Sequence, residues 1–265
     1  MLTTIEKLVR EAAERELMPR FNRTTYAIKR DGSIVTEADT ATQQYLQQAL
    51  ARHFERIAFL GEEMSVSEQE ALLRRADSGL WILDPLDGTS NFAAGIPYFC
   101  ISLALIRHGE VALGLIYDPL HDECFAAEKG KGATLNGRPL RTPTGLPPLE
   151  RGIGLVDFKR LQPALAKRLA CNPPYTSQRS FGSGALDWCM IASGRCQVYL
   201  HGGQKLWDYA AGQLILSEAG GRASGLDGEG VLAPTLAPRS VVAAPSSELY
   251  EPWFRWLNEF EPYQP

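Results

Sequence analysis

Residues 81–92 read Trp-Ile-Leu-Asp-Pro-Leu-Asp-Gly-Thr-Ser-Asn-Phe, and they carry the densest chemical signal of the chain. The apolar run Leu80–Leu83 has the length of a buried β-strand and ends abruptly at Asp84. A second carboxylate, Asp87, follows three residues later, and Pro85 between them fixes the turn of the backbone. Both carboxylates can therefore point into one small volume directly after a buried strand.

Two carboxylates in such a small volume repel each other unless a cation lies between them. Hard oxygen ligands favour magnesium, manganese or calcium. Asp-Pro and Asp-Gly are also ordinary turn pairs, so an ordinary turn is the alternative reading of this stretch alone. Two further acidic segments favour the metal site, because Gly61-Glu62-Glu63 closes the preceding strand and Trp207-Asp208 opens a helix far along the chain.

The composition of the whole chain narrows the class of protein. Its 265 residues are 45% hydrophobic and 22% charged, which predicts a globular protein with a sizeable core. The net charge of −4 argues against binding to nucleic acid. We expect a cytoplasmic protein with no membrane partner, because no apolar run approaches the ~18 residues of a membrane span and the N-terminus is too charged for a signal peptide. Five cysteines without a CxxC pair predict neither a disulfide framework nor a zinc site.

The periodicity of apolar residues predicts alternating helices and short strands. The predicted helices span residues 3–17, 38–54, 160–170, 184–193, 207–218 and 247–258. The predicted strands span residues 57–60, 80–83, 101–106, 111–117, 124–127, 152–156, 197–200 and 239–243. Turns are expected at 107–110 and at Asn136-Gly137, and a Pro/Gly-rich boundary at 143–148. This order indicates an α/β fold of mixed sheets layered with helices, in a single domain over 1–265 with subregions of about 1–142 and 149–265.

The three acidic segments, in this order and spacing, resemble the signature segments of the inositol monophosphatase family of magnesium-dependent, lithium-sensitive phosphatases. They are Gly61-Glu62-Glu63, residues 84–92 and residues 207–212. The resemblance covers nearly the whole chain, from Lys29 and residues 31–39 to residues 218–221. It implies a layered α/β/α/β/α sandwich of the inositol monophosphatase and fructose-1,6-bisphosphatase type, a phosphate ester as substrate and a homodimer.

The resemblance also implies roles for individual residues. The ligands of two or three Mg²⁺ ions would be Glu62, Asp84, the backbone carbonyl of Leu86, Asp87 and Asp208. The residues that orient and deprotonate an attacking water, without a covalent phosphoenzyme, would be Glu62, Thr89 and Asp39. The phosphate would lie on the backbone of Gly88, Thr89 and Ser90. The remainder of the substrate would contact Gly182, Ser183, Gly184, His201 and Asp208.

One position departs from the family's pattern. Seven residues before Asp208, the family carries a glutamate that accepts hydrogen bonds from substrate hydroxyls, and this chain has His201. A neutral imidazole accepts one hydrogen bond and a protonated one meets an anion, whereas a packed histidine does neither. Asp187 stands where bisphosphate nucleotidases tend to carry a lysine, which favours a monophosphate.

The expected activity is therefore hydrolysis of inositol monophosphate or a related polyol or sugar phosphate. The alternatives on the same fold are 3′(2′),5′-bisphosphate nucleotidase, histidinol-phosphatase and fructose-1,6-bisphosphatase activity. A binding protein without turnover is disfavoured, because the costly carboxylate cluster is intact.

Overall fold

The computed structural model describes residues 1–23, 25–29, 32, 34–74, 78–233 and 235–259. Asp31 and Ser33 of the segment 31–39 therefore lie outside the described residues. In chain order its helices are α1 (Leu2–Ala12), α2 (Glu37–His53), α3 (Val66–Leu73), α4 (Thr89–Ala94), α5 (Pro163–Cys171), α6 (Gly184–Ala192), α7 (Leu206–Ala219) and α8 (Ser247–Asn258). Its strands are β1 (Tyr26–Ile28), β2 (Ile34–Thr36), β3 (Ala58–Gly61), β4 (Leu80–Asp87), β5 (Cys100–Arg107), β6 (Glu110–Asp118), β7 (Glu123–Glu128), β8 (Ala133–Leu135), β9 (Arg138–Leu140), β10 (Ile153–Asp157), β11 (Ser177–Arg179), β12 (Val198–Gln204), β13 (Arg222–Ser224) and β14 (Arg239–Ala244).

These strands form two main sheets of mixed direction. The first has the order β3-β4-β5-β6-β7-β8-β9, in which β3 and β4 are parallel and the other neighbours are antiparallel. The second has the order β11-β10-β12-β14-β13, in which β10 runs parallel to both of its neighbours and β14 antiparallel to both of its own. The strands β1 and β2 form a separate antiparallel pair. The expected mixed α/β architecture is confirmed.

Three buried apolar clusters stack these elements into five layers. On the outer face of the first sheet, α1 and α2 pack through residues such as Ile5 and Leu46 against Leu103. Between the two sheets lie α6 and α7, whose side chains share one cluster with residues of both sheets. On the outer face of the second sheet lie α5 and α8, which contribute Leu169 and Trp253. This confirms the α/β/α/β/α sandwich.

The central helix α7 is apolar on nearly every side because a sheet lies on each of its faces. Its packing against α6 depends on Gly212, since a Cβ there would lie 2.4 Å from the side chain of Trp188. Its packing against β6 depends on Gly114, since a Cβ there would lie 2.7 Å from the carbonyl oxygen of Ala211. This close packing brings the first turn of α7, with Asp208, to the end of β4.

The predicted elements are present, with shifted ends. The helix predicted to start at residue 160 starts at Pro163, because the residue before a proline is forced into an extended conformation and Gln162 adopts one (ψ 137°). The helix predicted over 3–17 is α-helical only to Ala12 and continues as a π-helical turn at Ala13–Leu17. The strand predicted over 197–200 extends to Gln204 through a bulge. The elements β1, β2, α3, α4, β8, β9, β11 and β13 were missed, because each of these strands has three residues, too few to show a period, and the two helices are short.

Both predicted tight turns are present. His108 and Gly109 join β5 to β6 with φ of 52° and 74°, as a type I′ hairpin turn requires. Asn136 and Gly137 join β8 to β9 in the same way. In chain order, residues 143–148 connect β9 of the first sheet to β10 of the second. The buried cluster shared by both sheets supports the single domain, and the domain and its subregions stay predictions. All five thiols are free. In the described ranges no helix has the length and apolar character needed to cross a bilayer.

Candidate active site

Three carboxylates meet where β4 ends. Asp84 and Asp87 belong to β4, and Asp208 lies in the first turn of α7. One oxygen atom of each lies within 4.8 Å of the others. Residues separated by more than 120 positions in the sequence therefore form one acidic cluster, at the place that the strand ending predicted.

Backbone amides orient two of these carboxylates. The amide of Leu86 donates to Oδ1 of Asp84 at 3.0 Å, and the amide of Lys205 donates to Oδ2 of Asp208 at 2.8 Å. In Asp208 this bond is also the helix cap that satisfies an otherwise unpaired amide before α7. The backbone therefore positions both side chains before any cation binds.

The third carboxylate, Asp87, is held by the second glycine-rich segment. The hydroxyl of Ser183 and the amide of Ala185 each donate to Oδ2 of Asp87 at 2.6 Å. A Cβ at Gly182 (φ 86°) would lie 3.2 Å from the side chain of Asn91, so this segment passes close to α4. The sequence predicted substrate contact for this segment, and it missed the support of Asp87.

Burial makes this cluster costly to ionise in the absence of a cation. Burial raises the pKa of Asp84 and of Asp208 well above the usual range, and the neighbouring acids raise both further. Burial also raises the pKa of Asp87 to about 6, although the hydrogen bonds from Ser183 and Ala185 oppose the shift. An all-oxygen, anionic donor set of this kind fits Mg²⁺, whose charge offsets the repulsion.

The metal-free protein should therefore lose stability as pH rises through this cluster. The pKa of Asp87 is about 6 in the folded state, which lies above the ~3.9 of an unfolded aspartate. Protonation of Asp87 therefore stabilises the folded protein fully below the unfolded pKa, and this stabilisation is lost as pH rises through the folded pKa. In EDTA, the free energy of unfolding of wild type should fall relative to that of Asp87→Asn between about pH 4 and pH 7. Urea titrations at several pH values measure this, and parallel profiles for the two proteins would contradict it.

Glu62 lies beside the cluster but pairs with a cation of the chain. The backbone amide of Glu62 donates to the carbonyl of Leu83 at 3.0 Å, and the side-chain amide of Gln69 donates to the backbone carbonyl of Glu62 at 3.1 Å. Nζ of Lys29 lies 3.0 Å from Oε1 of Glu62 and 2.5 Å from Oε1 of Glu63. Glu62 is not one of the three carboxylates that converge within 4.8 Å, and sequence reasoning did not pair it with Lys29.

The surroundings of this ion pair shift the pKa values of Lys29 and Glu63. Burial lowers the pKa of Lys29, but the carboxylates of Glu62 and Glu63 outweigh it and leave the pKa raised. Burial raises the pKa of Glu63 to about 7 in spite of the hydrogen bond from Lys29. The ammonium group thus partly neutralises the acidic side of the site.

A hydroxyl and a carboxylate form a second pair next to the cluster. Oγ1 of Thr89 lies 3.2 Å from Oδ1 of Asp39 and 3.0 Å from the carbonyl oxygen of Leu86. Oδ2 of Asp39 accepts hydrogen bonds from the amide and the hydroxyl of Thr36, at 2.7 and 2.6 Å. Burial raises the pKa of Asp39 to about 6 against these two bonds. Thr89 can accept a proton from a water while it donates its own to Asp39.

The segment predicted to hold phosphate begins α4. Gly88 precedes the helix with φ of 95°, and a Cβ there would lie 2.9 Å from the carbonyl oxygen of Tyr98, so this position requires glycine. Thr89 and Ser90 form the first turn, whose amides have no partner within the helix. Unpaired amides at such a turn suit an anion.

A cavity of about 150 Å³ opens beside these groups. It is lined by Asp87, Asp157, Lys159, Arg160, Ser180, Gly182, Ser183, Gly184, Asp187, His201 and Asp208. Every residue predicted to contact the non-phosphate part of the substrate is among them. Sequence reasoning missed Asp157, Lys159 and Arg160, because nothing near them in the sequence marks a site.

His201 is neutral at this position. Burial lowers its pKa to about 4, the carboxylate of Asp157 opposes the shift, and Arg160 and Lys159 add to it. Between the two states considered from the sequence, the structure favours the neutral imidazole over the anion-binding imidazolium.

Comparison with known proteins places the chain in a family. The sequence profile described as the inositol monophosphatase family matches residues 1–258. An inositol-1-monophosphatase of Mesorhizobium japonicum is 36% identical over 213 residues, which cover 76% of each chain. A protein of Xylella fastidiosa named Nus factor SuhB is 34% identical over 197 residues, which cover 70% of this chain and 66% of that protein.

Solved structures agree in fold. The Thermotoga maritima IMPase matches with a TM-score of 0.85 and 29% identity, over 97% of this chain and 96% of its own. An IMPase/NADP phosphatase complexed with Mg²⁺ and phosphate matches with a TM-score of 0.83 and 28% identity, over 100% of this chain and 98% of its own. The acidic cluster occurs on the same fold as a phosphatase solved with Mg²⁺ and phosphate, and the protein is a phosphatase. The chain belongs to the inositol monophosphatase family.

Proposed function

We propose that this phosphatase hydrolyses the phosphate ester of a small polyol or sugar, with inositol monophosphate as the representative substrate. The observation that carries the proposal is the buried cluster of Asp84, Asp87 and Asp208, since two of these carboxylates line a cavity of about 150 Å³ and the Thr89–Asp39 pair follows in the next turn of the chain. Such a cluster is unfavourable without a cation, and a cation bound there would assist phosphate-ester hydrolysis.

The magnesium ligands would be Glu62, Asp84, the carbonyl of Leu86, Asp87 and Asp208, with two or three ions in the site. When bound, Mg²⁺ polarises the phosphoryl oxygens, lowers the pKa of a water and stabilises the leaving alkoxide. Oε1 of Glu62 faces Lys29, and the second oxygen of this carboxylate can meet a cation.

The chain's own residues then move the proton. Thr89 accepts a proton from the attacking water and donates its own to Asp39, whose pKa of about 6 suits a general base near neutral pH. The water oxygen forms a bond to phosphorus as the bond from phosphorus to the alcohol oxygen breaks, and no residue becomes phosphorylated. The amides of Gly88, Thr89 and Ser90 hold the phosphate oxygens during this exchange.

Among the residues that line the cavity, Asp187 favours a monophosphate, whereas Lys159 and Arg160 bring positive charge to the same lining. Oδ1 of Asp187 accepts a hydrogen bond from the hydroxyl of Tyr98 at 3.1 Å. Burial raises the pKa of Asp187 well above the usual range. A carboxyl group at this point offers no positive charge to a second phosphate, whereas it can form a hydrogen bond with a hydroxyl of a polyol.

The test is a panel of phosphate esters with Mg²⁺ or with EDTA. The panel contains inositol 1-phosphate, a hexose phosphate, histidinol phosphate, fructose 1,6-bisphosphate and 3′-phosphoadenosine 5′-phosphate. We expect Mg²⁺-dependent release of phosphate with the highest kcat/KM on the polyol or sugar monophosphate. Preference for a bisphosphate would move the activity to one of the alternatives, and turnover in EDTA would contradict the metal mechanism.

Lithium should inhibit this turnover. The resemblance to the lithium-sensitive family motivates this expectation, since Li⁺ is a hard cation that oxygen ligands accept in place of Mg²⁺ with one charge fewer. Initial rates are measured over a lithium titration at fixed Mg²⁺, with sodium at equal ionic strength as the control. Equal rates in the two salts would place the chain among lithium-insensitive enzymes.

A homodimer is part of the same proposal, on the resemblance alone. Light scattering on the eluting protein gives the mass in solution, against 29.2 kDa for one chain.

A further inference from the structure

The alcohol end of the cavity contains two side chains that face each other across neighbouring strands. Asp157 ends β10, and His201 lies in β12, to which β10 is parallel. The two residues are paired in register, so their side chains lie on the same face of the second sheet. Both line the cavity that also contains Asp87 and Asp208.

One ring nitrogen of His201 has a hydrogen-bond partner, and the other faces a carboxylate. Nδ1 lies 3.1 Å from the amide of Gly203 and accepts its hydrogen bond, so the ring proton is on Nε2. Nε2 lies 3.6 Å from Oδ2 of Asp157. A neutral imidazole in this tautomer has no acceptor to offer a substrate hydroxyl, and its remaining donor faces a carboxylate.

Asp157 has the acceptor capacity that His201 lacks. Its Oδ1 accepts one hydrogen bond from the amide of Lys159 at 2.8 Å, and its Oδ2 faces the imidazole. An ionised carboxylate has about four acceptor positions, so positions remain for substrate. The side chain is 20% exposed, enough to meet a ligand in the cavity and buried enough to keep its orientation.

The glycines after His201 hold this arrangement in place. β12 bulges between His201 and Gln204, and Arg160 donates a hydrogen bond to the carbonyl of Gly203 within the bulge. A Cβ at Gly202 would lie 2.2 Å from the carbonyl oxygen of Arg160. The loop after Asp157 can therefore close onto the bulge only because glycine is there.

We propose that Asp157 is the residue that accepts hydrogen bonds from the substrate's hydroxyls, and that His201 is a positioning residue that holds the Asp157 carboxylate through Nε2–H. This assignment rests on the proposed function and names the residue that gives it specificity for a hydroxylated alcohol. In the family, a glutamate at the position of His201 accepts hydrogen bonds from substrate hydroxyls. In this chain Asp157, on the neighbouring strand β10, takes that role.

The first experiment compares two esters that differ only in ring hydroxyls, inositol 1-phosphate and cyclohexyl phosphate, in the presence of Mg²⁺. We expect Asp157→Asn to lower the ratio of their kcat/KM values by about 10- to 100-fold, the effect of a lost hydrogen bond to a charged group. Asp227→Asn is the matched control. Like Asp157, Asp227 accepts a hydrogen bond from the backbone amide two residues further on, here that of Glu229 at 3.0 Å, but it lies outside the cavity. Its ratio should equal that of wild type.

The second experiment tests whether His201 acts through Asp157. His201→Ala should lower the same ratio, and His201→Gln should restore most of it, because the glutamine amide can donate to Asp157. In the Asp157→Asn background, His201→Ala should change the ratio no further, since both substitutions remove one interaction.

The outcomes separate this inference from the proposed function. Three outcomes would each overturn the inference and leave the phosphatase mechanism standing. They are equal losses of kcat/KM on both esters in Asp157→Asn, additive effects in the double variant, and an unchanged ratio with a gain on fructose 1,6-bisphosphate. A wild-type protein that hydrolyses neither ester would contradict the proposed function and the inference with it.

Discussion

Asp84→Asn should abolish phosphatase activity while leaving the metal-free protein as stable as wild type, or more so. Asp84 lies at the centre of the acidic cluster, and cation-assisted catalysis contributes several kcal/mol, so kcat/KM should fall by at least about 10³-fold. The stability gain follows from the raised pKa of Asp84, because the variant no longer buries a charge beside Asp87 and Asp208. Phosphate release and urea unfolding in EDTA measure the two effects.

The control for this variant is Asp118→Asn. Asp118 is also buried, and its carboxylate accepts the amide of Leu120 at 2.9 Å just as that of Asp84 accepts the amide of Leu86. It lies at the end of β6, where it pairs with His121 and not with other acids. We expect Asp118→Asn to lose stability and keep its activity, the reverse of Asp84→Asn. A thermal shift on adding Mg²⁺ should persist in this control and disappear in Asp84→Asn.

Thr89→Val should lower kcat by about 10²- to 10⁴-fold, the range expected for loss of general-base assistance. Valine keeps the shape of threonine and removes the hydroxyl that connects an attacking water to Asp39. Thr89→Ser keeps the hydroxyl and should retain most of the rate. A valine variant with wild-type kcat would remove Thr89 and Asp39 from the proton path.

The same change at Thr42 is the control for Thr89→Val. Thr42 is fully buried in α2, and among the described residues its hydroxyl has no hydrogen-bond partner. Replacing an unsatisfied buried hydroxyl with a methyl group should maintain or increase stability. Activity of Thr42→Val should equal that of wild type, which shows that the substitution type itself does no harm.

The parts of the site that the sequence predicts are those in which chemistry and local structure lie in one short segment. In residues 81–92 a buried strand, two carboxylates and a glycine before a helix follow one another, so a single segment gives the element and the direction of its side chains. The long elements were predicted for a similar reason, since ten or more residues show a clear period.

The parts that the sequence does not predict depend on pairings over long distances. Asp157 reaches the cavity because β10 pairs with β12, 44 residues further on, and the register of that pairing is not visible in either segment. Ser183 supports Asp87 from 96 residues away. The tautomer of His201 depends on the bulge that places the amide of Gly203 against Nδ1.

The position of the cavity between the two sheets has a consequence for how such an enzyme could be re-engineered. The groups proposed to act on the phosphate, from Asp39 to Ser90, come from the first sheet and its helices, whereas Asp157 and His201 come from the second. Asp208 lies on the helix between the two sheets, and Ser183 and Ala185, which hold Asp87, belong to residues 153–204. Exchanging residues 153–204 between relatives that keep the Ser183 hydroxyl and the Ala185 amide against Asp87 should therefore transfer the choice of alcohol while the hydrolytic site is retained, which makes the second sheet a replaceable cassette.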